Sequence, residues 1–69
     1  MRTDLYHVIS AASEDRFGET ASLEEALRLA RRVAGEERSG EAVCIEHRGL
    51  VIRQLRLGPD GRLEETVLA

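Results

Sequence analysis

The segment Ser22-Leu23-Glu24-Glu25 and the apolar stripe behind it constrain this chain more than any other feature. Ser22 stands three residues before Glu25, the spacing at which a serine hydroxyl accepts from the N3 amide and a glutamate reaches back to the cap. Leu23, Ala26, Leu27, Ala30, Val33 and Ala34 then recur at intervals of three and four, which places them on one side of an α-helix. Leu29 flanks the stripe. Glu24, Glu25, Arg28, Arg31 and Arg32 fall on the other side. Glu24 precedes Arg28 by four residues, the favourable pair orientation. Arg31 and Arg32 suit the negative end of the helix dipole, and Gly35 is the expected stop. A helix with one apolar side needs a second layer to cover it.

The rest of the chain supplies that layer as strands. Residues 5–10 (Leu-Tyr-His-Val-Ile-Ser) are aromatic and β-branched. Residues 11–15 read as a turn, and 16–20 as a short second strand that Gly18 weakens. A polar connection at 36–40 leads to a strand at 41–47. Arg48-Gly49 is a tight hairpin turn, because Gly accepts the positive φ that such turns demand. A strand at 50–57 follows. Gly58-Pro59-Asp60-Gly61 is a second turn: Pro59 presets φ, Asp60 suits the next position, and Gly61 takes the left-handed one. The last strand is 62–68. The expectation is an α+β fold of order β(β)αβββ, an antiparallel sheet of four or five strands with one helix on one face. With 69 residues there is room for one core, so the chain 1–69 reads as a single compact domain.

A one-sided sheet alternates apolar and polar residues, and these strands depart from that. Tyr6 and Val8 oppose Leu5 and Ile9. Val43 and Ile45 oppose Ala42 and Cys44. Leu50 and Ile52 oppose Val51, Leu55 and Leu57. One helix cannot cover two faces, so the second face is expected to meet another copy of the chain or a partner, or to stay partly exposed.

Charge narrows the partner. Ten cations, every one an arginine, face thirteen acids, and the formal charge is −3. An acidic chain lacks the basic footprint of a general nucleic-acid binder. The signs alternate in blocks, acidic at 13–25, basic at 28–32, acidic at 36–46 and basic at 48–62. Arg28, Arg31 and Arg32 on the helix, with Arg53 and Arg56 on a later strand, are the candidate partner-binding residues. Their expected partner is an acidic protein surface or a nucleoprotein. Nucleic-acid-reading sheets add stacking aromatics, and here Tyr6 and Phe17 lie away from that hairpin, so direct nucleic-acid binding is not expected.

Catalytic and metal chemistry find no footing. His7, Cys44 and His47 are the soft ligands, and zinc needs three or four that converge. Cys44 and His47 are three apart on a strand and face opposite sides. Glu24-Glu25, Glu36-Glu37 and Glu64-Glu65 are sequence neighbours, which diverge on helices and strands. No phosphate loop or nucleophile elbow occurs. The reading is non-enzymatic, without cofactor or metal. One cysteine, no apolar run of about 20 residues and no apolar leader point to a cytoplasmic chain that does not enter the membrane.

Ala21-Ser22-Leu23, Ala26, Arg28 and Ala30, followed by Gly40, Val43, Ile45-Glu46, Gly49-Leu50 and Asp60-Gly61, resemble the small phage-encoded anti-CRISPR proteins built as a sheet with one helix. The resemblance runs from Thr20 to Glu65. It implies an inhibitor from a mobile element that docks on a CRISPR effector complex, with Arg28, Arg31 and Arg32 on the contacting helix. The chain also resembles short bacterial proteins rich in β-α-β elements. The alternative function is accordingly a self-associating structural or regulatory protein, dimeric through the sheet face or edge.

Overall fold

The computed structural model describes residues 4–13, 15–36 and 41–68. Its elements are β1 (Tyr6–Ser10), β2 (Arg16–Thr20), α1 (Leu23–Glu36), β3 (Val43–His47), β4 (Leu50–Leu57) and β5 (Leu63–Val67). The five strands form one antiparallel sheet in the order β2-β1-β3-β4-β5. The fold is the expected α+β ββαβββ arrangement, with residues 16–20 as a true strand.

Each connection follows from local chemistry. The β1–β2 turn is closed by the Ser10 hydroxyl, which accepts from the Ala12 and Ser13 amides at 3.2 and 3.3 Å. Chain reversal after β3 uses Arg48 and Gly49, both left-handed, with φ of 53° and 81°. Two consecutive positive φ values match the right-handed twist of the flanking strands. Gly61 is left-handed as expected, with φ 82°. The Gly61 amide donates to the Gly58 carbonyl at 3.0 Å and the Arg62 amide to Asp60 Oδ1 at 3.1 Å. At the helix start the Ser22 hydroxyl accepts from the Glu25 amide at 3.2 Å.

Three expectations need adjusting. The helix does not stop at Gly35 but includes it and Glu36, so Arg31 and Arg32 lie before its last turn. A glycine in a helix costs about 1 kcal/mol and does not by itself break one. Of the polar connection expected at 36–40, residues 37–40 lie outside the described residues, and so does Gly40. The third adjustment concerns the faces of the sheet. β3 and β4 shift register between Ile45 and Glu46: Ile45 pairs with Arg53, and Glu46 with Val51. The extra residue is Ile52. A bulge of this kind re-aims side chains, so Ile52 and Leu55 both pack against the core instead of opposing one another.

The core lies between α1 and the sheet. Ala26, Ala30 and Ala34 bring the helix close to Val8, Val43, Ile45 and Leu55, and all seven are buried. Leu23, Leu27, Leu29, Val33, Tyr6 and Ile52 ring them. Gly18 faces this helix: a Cβ there would stand 2.8 Å from the Leu29 side chain.

The opposite face is more polar than the sequence suggests. The β pairings place Glu19, His7, Glu46 and Val51 in one row and Arg16, Ile9, Cys44, Gln54 and Thr66 in the next. Arg56 and Glu64 follow. Ile9, Cys44 and the half-exposed Val51 are the apolar members of these rows. Five of the six large exposed hydrophobics, Leu50, Val51, Leu63, Val67 and Leu68, belong to the start of β4 or to β5 and the residue after it. Among the described residues no helix is long and apolar enough to cross a membrane.

Candidate interaction surface

The five candidate arginines divide among separate places. Arg28 sits on the outer side of α1 with its guanidinium 3.7 Å from Glu24. Arg31 leans the other way and pairs with Glu65 of β5 at 3.2 Å. Arg28 and Arg32 border a shallow cleft of about 410 Å³ with Thr20, Glu25 and Leu29, on the β2 side of the helix. Among the described residues Arg32 makes no ion pair. Arg53 shares the helix side of the sheet with Ile45 and Val67, its pairing partners, and its Nη1 donates to the Ile52 carbonyl at 2.9 Å. Arg56 is on the opposite face, paired with Glu64 directly across the strand at 3.1 Å. The interleaved acids thus hold Arg28, Arg31 and Arg56 one at a time, and the five do not make one basic patch.

The soft ligands are equally dispersed. Cys44 is buried on the far face, and burial pushes its thiol pKa up. His47 lies on the helix side, stacked on Tyr6 with ring centroids 4.0 Å apart and planes 8° from parallel. Its Nδ1 is 3.4 Å from the Leu5 carbonyl. His7 stands between Glu19 and Glu46, its Nδ1 3.4 Å from Glu19 Oε2. That nitrogen is buried without a hydrogen bond. Among the described residues no three His, Cys, Asp or Glu side chains are grouped to hold a metal ion.

What the residue-by-residue reading passed over is β5. The sheet ends at β2 on one side and at β5 on the other, and among the described residues no further strand pairs with either. A free edge is a template for another strand, and proteins guard it with bulges, charges, Pro or coverage. β2 is guarded. It carries a bulge where Val8 pairs with Gly18 and Ile9 with Arg16, and it presents Arg16 and Glu19. β5 (Leu-Glu-Glu-Thr-Val) has no bulge in its pairing with β4 and no Pro. All five residues are exposed, and α1 reaches β5 less than any other strand. Its two charges, Glu64 and Glu65, are held by Arg56 and Arg31 of the same chain.

Backbone direction completes the picture. The Gly58 amide donates to the Arg62 carbonyl at 2.7 Å and the Leu68 amide to the Ile52 carbonyl at 2.9 Å. These bonds fix the alternation of the β4–β5 ladder. Residues 62, 64, 66 and 68 direct their backbone groups to β4, and Leu63, Glu65 and Val67 direct theirs outward. The side chains of those same three residues line the helix side.

Comparison of the chain with protein-family models, with curated proteins and with solved structures finds no match to any of them. The likeness to anti-CRISPR inhibitors rests on the residues quoted above.

Proposed function

We infer that this chain is a non-enzymatic interaction module that binds another protein along the β5 edge. The observation that carries the reading is the contrast between the two edges: β2 is bulged and charged, whereas β5 is free of bulges, exposed along its length and neutralised by its own chain. Strand addition to such an edge takes its affinity from main-chain hydrogen bonds and its specificity from alternate side chains. Leu63 and Val67, 39% and 66% exposed, supply apolar contacts along this edge.

Val67→Lys tests this. The side chain is 66% exposed, so the substitution leaves the core intact while placing a charge on the edge. Proteins retained by the tagged wild type should be lost by this variant and kept by Arg16→Glu on the opposite edge. Retention indifferent to Val67→Lys would reject the β5 surface.

A second reading, an inhibitor docked on a CRISPR effector, draws on the cleft beside α1. Arg32 has no ion-pair partner there among the described residues, and Arg28 is its neighbour on the rim. Arg28→Glu with Arg32→Glu should relieve inhibition of CRISPR interference in cells. Inhibition unchanged by the pair would reject that surface.

A further inference from the structure

We propose that the strand received by the β5 edge is β5 of a second copy, antiparallel and centred on Glu65, so that two chains share one ten-stranded sheet. This rests on the reading of β5 as a binding edge and assigns its partner.

The strand is complementary to its own reverse. Its ends, Leu63 and Val67, are apolar, and the three residues between them are polar. Turned about an axis through Glu65, Leu63 of one copy lies opposite Val67 of the other, and Glu64 opposite Thr66. Residues opposite one another in an antiparallel pair share a face. The two Leu63–Val67 contacts therefore form on the helix side, and the two Glu64–Thr66 contacts on the far side. Leu63, Glu65 and Val67 are the residues whose backbone groups point outward, and in this register each meets another of the same set. Three hydrogen-bonded pairs then give about six backbone hydrogen bonds, two for each pair. The apolar side chains that the lone chain leaves in water, 39% exposed at Leu63 and 66% at Val67, are covered by the same step.

One contact opposes the pairing. Glu65 meets Glu65 of the second copy, and like charges directly opposite are destabilising. The structure already answers this charge. Arg31 sits 3.2 Å from Glu65, so each copy brings its own guanidinium to the seam. The pair that does little for the lone chain offsets the Glu65–Glu65 repulsion in the dimer. No such arrangement exists at β2, where the bulge and Gly18 interrupt a regular edge.

The interface is short. Stable interfaces bury about 1,200 Å² or more, and a five-residue strand pair falls below that size. The association is therefore expected to be weak and reversible.

Sedimentation equilibrium from about 10 µM to about 1 mM reads this range of affinities. Wild type is expected to show a monomer–dimer equilibrium. Val67→Lys, still folded by circular dichroism, should weaken it at least about tenfold, the effect of a charge set on a pairing edge. Arg31→Ala should weaken it several-fold by leaving the two Glu65 side chains unanswered. Adding Glu65→Gln to Arg31→Ala should restore the wild-type constant, which a merely structural role of Arg31 would not produce. A wild type that stays monomeric throughout overturns the proposal. So does a dimer indifferent to Val67→Lys, or one that Arg31→Ala weakens and Glu65→Gln does not restore. The retention experiment above judges the edge itself, so a monomeric wild type that still loses its partners on Val67→Lys would leave the binding edge in place with a different occupant.

Discussion

Arg31 of the helix and Glu65 of the edge strand stand 3.2 Å apart, the ion pair that links α1 to β5. Both side chains are partly exposed, at 51% and 32%. Exposed pairs contribute about 0–1 kcal/mol. Arg31→Ala should therefore change the unfolding free energy of the monomer by less than about 1 kcal/mol in urea titrations. A larger loss, measured at a concentration too low for association, would mean that the pair holds the fold.

Leu55 is fully buried at the centre of the core, opposite Val43. Leu55→Ala should cost about 2–5 kcal/mol, the range for truncating a buried leucine. A core in a chain this small supplies about 3–5 kcal/mol in all. The variant is therefore expected to lose cooperative unfolding at room temperature. Leu63→Ala, at an exposed site on the same side of the sheet, should change stability little by the same measurement.

Much of this architecture is legible as local chemistry. Ser22 caps the helix, the stripe from Leu23 to Ala34 faces the sheet, and Gly61 takes the left-handed position. Each depends on residues a few positions apart. What the strand pattern hides depends on partners far away in sequence. Leu50, Val51, Ile52, Arg53, Gln54 and Leu55 read as an alternation that sends Ile52 and Leu55 to opposite faces, and only the register shift at Ile45 shows that both turn inward. The same holds for the candidate site. The arginines are conspicuous in sequence, yet Glu24, Glu65 and Glu64 take up Arg28, Arg31 and Arg56. β5 is inconspicuous because strand order alone makes it an edge.

Arg48 is the one non-glycine residue at positive φ among the described residues. A left-handed conformation costs an ordinary side chain about 1–2 kcal/mol, and Asn tolerates it better. Arg48→Asn creates the Asn-Gly pair that this two-residue turn favours. It should raise stability by about 0.5–1 kcal/mol, visible as a higher midpoint in urea with an unchanged slope. A lower midpoint would show that Arg48 contributes a contact outweighing its backbone cost.

Burial raises the pKa of the Cys44 thiol above its ordinary 9.0. The native state therefore holds its proton at pH values where the unfolded state has released it. This contribution to stability is full below the unfolded value and is lost as pH rises through the native one. Stability should fall with pH above about 9, and Cys44→Ala should flatten that part of the profile. The thiol should also react slowly with a thiol reagent until urea unfolds the chain. Equally fast labelling of native and unfolded protein would contradict its burial.

The account turns on whether β5 is a seam between two copies, and backbone amide exchange reads this directly. Raising the protein concentration from about 10 µM to about 1 mM spans the affinities expected of so short an interface. The outward amides of Leu63, Glu65 and Val67 should gain protection across that range, while β2 exchanges at one rate throughout. Exchange of those three amides that is fast and indifferent to concentration would contradict the shared sheet.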